Sequence, residues 1–186
     1  MNPLNERLDR LRQLIQERDF LEGKGLSNEV NIRIFCYDPQ DEMTITHFLD
    51  QLITDPSLEC HPIACNLYKL FIEICEEVDI LDSIPEVEEH HGSEYLLEQL
   101  HSAIGENEFI DKMREKYQPQ VGDVMLLIGV GDVFPFMRVH KMLEAMQPFF
   151  SEVPILVMYP GVFDGNTLRL FNKLSPSPYY RAFNVV

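Results

Sequence analysis

Three carboxylates stand where apolar runs give way to other structure: Asp38 after VNIRIFCY, Asp132 after VMLLIGVG and Asp164 after PILVMYPGVF. Acids gathered at one crevice hold a divalent cation through oxygen ligands, and Arg138 or Arg169 would then meet a phosphate. A local reading competes. Asp38 precedes Pro39 and Asp132 precedes an apolar-periodic stretch, which are the places where helix caps belong, and Asp164-Gly165 is a turn pair. No metal ligand set is assigned.

Residues 127–136, LIGVGDVFPF, pass from an apolar run through Gly129 and Gly131 toward a helix, the order in which phosphate-binding turns occur. A dinucleotide fingerprint needs a third glycine, and Phe134 takes that position. A P-loop needs a lysine and a hydroxyl after its last glycine, and Asp132 sets a negative charge there instead. The turn therefore reads as structural, with glycines at positive φ and Pro135 starting the helix. A nucleotide- or metal-binding enzyme or sensor at this edge is the alternative reading. No G-x-S-x-G elbow is present, Cys60-His61 and Cys65 lack the paired spacing of a zinc site, and His140 reads as a surface or core histidine. No catalytic residue and no cofactor is assigned.

The elements that position these residues follow from periodicity. An amphipathic helix is predicted over 5–21, ending at Gly23-Lys24-Gly25. A strand over 30–37 leads into a helix to about residue 54, and CHPIACNL leads into a helix over 68–81. DSIPEVEEHHG, residues 82–92, reads as an exposed acidic loop. Helices are predicted over 94–104 and 106–117, and two apolar strands, 124–128 and 154–159, flank a helix over 135–146. A short helix over 167–174, a Ser-Pro-Ser-Pro break and a terminal strand YYRAFNVV complete the chain. This alternation predicts a single α/β domain over residues 1–186, with a mostly parallel sheet of four to five strands and helices on both faces.

Charge is uneven along the 186 residues. Residues 1–118 hold 10 Lys and Arg against 26 Asp and Glu, a balance of −16, while residues 119–186 hold five of each. Between Lys69 and Lys112 there are 13 carboxylates and no Lys or Arg. Such a face repels phosphate backbones, so direct nucleic acid binding is disfavoured and a basic protein partner suits it better. The charged N-terminus and the lack of a long apolar run predict a cytoplasmic protein without a membrane span. The four cysteines read as reduced. The alternating residues 179–186 suit either a homodimer or closure of the chain's own sheet, and the second is the favoured reading.

The stretches LLIGVGDVFPFMRVHKMLEAMQP, PILVMYPGVFDGNTLRLFNKL and YYRAFNVV resemble the BrxB family of the BREX bacteriophage-exclusion systems. The signature Y-P-G-x-[FY]-D-G-x-x-L-R-L-F carries much of the resemblance and contains Pro160, Gly161, Asp164, Gly165 and Arg169; Tyr180 and Arg181 belong to the terminal stretch. FLEGKGLSNEVNIRIFCYDPQDE extends it to the N-terminal third, and the middle, about 58–118, is similar in pattern and length. The resemblance implies a non-catalytic accessory protein of a phage-defence complex that also includes a methyltransferase, a large ATPase and an alkaline-phosphatase-like protein. Its implied role is to hold or regulate a larger component, first choice the alkaline-phosphatase-like protein.

Overall fold

The strand β1 (Ile32–Tyr37) is buried at nearly every position. Ile32, Ile34 and Cys36 belong to one hydrophobic core, and Phe35 and Tyr37 belong to another on the opposite face. A strand apolar on both sides needs a layer on each. β2 (His61–Asn66) is less completely buried, but β3 (Asp123–Ile128) and β4 (Ile155–Phe163) repeat the division: Met125, Leu127 and Val157 face one core, Val124, Leu126 and Leu156 the other. The computed structural model describes residues 3–22, 31–178 and 183–184.

Beyond β4 the chain adds two short antiparallel strands, β5 (Thr167–Leu170) and β6 (Ser177–Pro178), before β7 (Phe183–Asn184) returns to the main sheet. The five parallel strands run in the order β2-β3-β4-β1-β7. One face is covered by α1 (Pro3–Leu14), α2 (Arg18–Leu21) and α3 (Glu42–Ile53), whose apolar positions form a core with Phe35 and Tyr37. The other is covered by α4 (Leu67–Glu77), α5 (Ile84–His91), α6 (Ser93–Ala103), α7 (Glu106–Tyr117), α8 (Val130–Val133) and α9 (Val139–Met146). Within that layer Phe71 of α4 stacks on Phe109 of α7 and on Phe136, with ring centroids 6.3 and 4.6 Å apart. Lys112 and Lys116 of α7 pair with Glu77 and Glu73 of α4. Among the described residues no helix is long and apolar enough to cross a membrane.

This is the α/β architecture that the alternation predicts, with four local corrections. Residues 82–92 are not a loop: a 3-10 turn, Leu81–Ser83, leads into α5. Pro85 occupies the first turn of α5, where a missing N–H breaks no bond, and Gly92 ends the helix at φ 84°. Residues 167–174 are not a helix either. Leu168 and Leu170 are buried, Arg169 is exposed, and this period of two pairs β5 antiparallel with β4. Finally, Pro135 does not start a helix. Phe134 has the extended backbone favoured before proline (ψ 134°), the Phe134–Pro135 peptide is cis, and α9 begins at Val139. The long first helix is also divided, into α1 and α2. The glycine loop 23–27 lies outside the described residues, as do Tyr180 and Arg181.

Candidate functional site

Crossovers from β1 and from β3 lead to helices on opposite faces, so a topological switch point lies beyond the carboxyl ends of the strands. That is where an open α/β sheet binds ligands, and it is where Asp38, Gly129, Gly131, Asp132, Pro160 and Gly161 are found. Their surroundings assign most of them local work.

Asp38 is an N-cap: its Oδ1 accepts from the backbone N–H of Gln40 at 3.0 Å, with Pro39 opening a 3-10 turn before α3. Gly129 has φ 70° and precedes α8, and a Cβ there would lie 2.9 Å from Asn66 Oδ1. Asn66 itself caps α4 by accepting from Lys69 N at 3.0 Å. Gly131 differs from the expectation, because it is not at positive φ; it makes room for a neighbour. A Cβ on it would meet the Phe171 ring at 2.8 Å and Pro160 at 3.4 Å. Phe171 is fixed in turn by its backbone N–H, which donates to the Pro160 carbonyl at 2.8 Å. An aromatic ring of the chain itself is thus packed against the turn at Gly131.

Asp132 is not a cap. It stands inside α8, after the Gly129 N-cap position, and its side chain is exposed. Its charge acts on Tyr37, whose hydroxyl donates to Glu42 at 2.7 Å; burial first and Glu42 second hold that hydroxyl far above the ordinary phenol range. Two carboxylates beside a protonated phenol form an electronegative edge, which opposes an anionic ligand. Gly161 lies in the β4–β5 hairpin, where a Cβ would come within 2.2 Å of the Arg169 carbonyl. Asp164 closes the hairpin tip: it accepts from the N–H groups of Asn166 and Thr167 at 2.9 and 2.7 Å and from the Thr167 hydroxyl at 2.8 Å, with Gly165 at φ 95°. Those donors hold its carboxyl below the usual range. Arg169 is exposed on β5. Among the described residues no three His, Cys, Asp or Glu side chains are grouped to hold a metal ion. Burial pushes the Cys36 and Cys65 thiols up to about 12, so both are neutral.

Two cavities border the 127–136 stretch. One, of about 240 Å³, lies between α9 and the β5–β6 excursion and is lined by Arg138, His140, Tyr159, Ser175 and Ser177 among others. Burial lowers the His140 pKa, so this imidazole is neutral at pH 7. The second, of about 510 Å³, is an apolar groove between α4, α5 and α6 that contains Pro135 and Phe136. Its only sequence signal is the set of partly exposed apolar positions such as Ile84 and Leu97, which becomes visible once residues 82–92 are helical.

The fold and this geometry define an α/β protein whose strand-end crevice is closed by its own hairpin and whose helical layer carries an open apolar groove. The family described as "BREX protein BrxB" matches residues 63–185, an interval that takes in the middle region. The chain is 34% identical over 194 residues to a BREX protein BrxB of Bacillus cereus (strain H3081.97), covering 100% of this chain and 99% of that one. It is 29% identical over 184 residues to a BREX protein BrxB of Escherichia coli O9:H4 (strain HS), covering 98% and 92%. No solved structure gives a significant match. The chain belongs to the BrxB family of BREX proteins.

Proposed function

We propose that the protein is a non-catalytic accessory component of a BREX-type phage-defence complex in the cytoplasm, holding or regulating a larger component. The alkaline-phosphatase-like protein is the first choice of partner. The observation that carries this reading is the filled switch point: Phe171 and Pro160 occupy the space beside Gly131, and Asp38 and Asp164 serve turns. Function then falls to the surface, where the acidic helical layer suits a basic protein partner and repels nucleic acid. A homodimer through residues 179–186 is a weaker proposal, because Phe183–Asn184 pair with β1 of the same chain.

Co-expression with each neighbouring gene product tests the reading. Recovery of the phosphatase-like protein in a stable complex supports it, and recovery of none of them overturns it. The second reading, a nucleotide- or metal-binding sensor, draws on the cavity lined by Arg138 and His140. Titration calorimetry with nucleotides and Mg²⁺ decides that one, since absence of heat at millimolar ligand leaves it without support.

A further inference from the structure

The groove of about 510 Å³ is walled by Tyr68, Phe71, Ile84, Leu97, Leu100 and Phe136. Every wall comes from a helix or from the turns at Leu81 and at 135–136, and among the described residues no strand lines it. A ligand there finds no free sheet edge to pair with, so recognition must run through side chains, as when an amphipathic helix lies in a groove. The rim is acidic. Glu88 and Glu94 stand in the groove wall, and Asp82, Glu86, Glu89 and Glu98 are exposed on the same turn and helices.

These six carboxylates have no ion pair among the described residues. Glu73 and Glu77 of α4, by contrast, are paired by lysines of α7. No Lys or Arg lies between residues 69 and 112 to neutralise the rim from within. A second copy of the chain seated here would bring one acidic rim onto another, and an anionic lipid surface would be repelled in the same way.

We infer that this groove docks an amphipathic, basic segment of a partner protein, with apolar side chains at helical spacing entering between α5 and α6 and flanking Lys or Arg meeting the rim. The inference rests on the accessory role proposed above only for which protein supplies the segment.

The test uses the full chain and overlapping peptides tiling each neighbouring gene product of its operon. The bound peptides are expected to be basic, with apolar residues three and four apart. Leu97→Glu weakens them by about tenfold or more. Glu94→Lys, at an exposed position that leaves the fold intact, weakens them at low salt and matches the unaltered chain at high salt. Binding of acidic peptides in preference, binding of none, or equal binding by both variants overturns the inference. A neighbour captured whole by the chain and equally by both variants leaves the accessory role standing and removes the groove. A basic peptide bound at the groove with no neighbour captured does the reverse.

Discussion

The carboxyl edge of the sheet and the shoulder formed by α5 and α6 use their acidic residues in opposite ways. At the edge, Asp38 and Asp164 accept backbone N–H groups within three residues of themselves, and the space between turns is filled by Phe171. On the shoulder, Glu88 and Glu94 have no ion pair among the described residues and line an apolar groove. Residues that resemble chemistry hold the fold together, and residues that resemble mere solubility frame the open site. Position at a strand end is therefore weak evidence for function until the hydrogen bonds of the turn have been counted.

Substitutions can break this contrast. The largest effect is expected beneath the shoulder: Phe109→Ala removes a fully buried ring stacked on Phe71 and costs about 4 kcal/mol, read from urea unfolding. Gly161→Ala comes next, because its Cβ would press on the Arg169 carbonyl and force the hairpin apart, at about 3 kcal/mol.

Asp164→Ala should have a smaller effect, with a distinctive pH dependence. The carboxylate is held below its ordinary value of 3.8, so its contribution is present above that pH and is lost as pH falls through the lower native value. The stability gap between the two proteins should be level near neutrality and close in acid. A gap unchanged in acid would show that the turn does not need the charge.

The smallest expected change is Tyr68→Ala, within about 0.5 kcal/mol of the parent because the ring is already part-exposed, yet weaker in partner capture. If it unfolded the protein as readily as Gly161→Ala, the distinction between edge and shoulder would be lost.

Much of the architecture is legible in the residues. VMLLI and PILVMY are apolar at successive positions, so both faces had to be covered, and Asp38-Pro39 marks a helix start through its chemistry alone. Two of the misread elements share a cause: Pro85, Gly92 and Pro135 punctuate, but punctuation does not say whether a helix begins, ends or is interrupted. Residues 167–170 are too few to separate a period of two from 3.6, and it is the long reach of β4 that makes a strand there. The filled crevice was beyond reach, because the neighbour that requires Gly131 is Phe171, distant in sequence.

The position of β1 also orders events in time. Its register partners are Ile155–Pro160 on one side and Phe183–Asn184 on the other, all far downstream. A ribosome making this chain releases an apolar strand, IRIFCY, long before anything exists to pair with it. Such non-local pairing makes folding slow and leaves the strand open to wrong partners meanwhile. Of the native elements made before β4, α1 and α3 are the ones that share a core with Phe35 and Tyr37, so they are placed to cover one face of β1 until β4 has emerged.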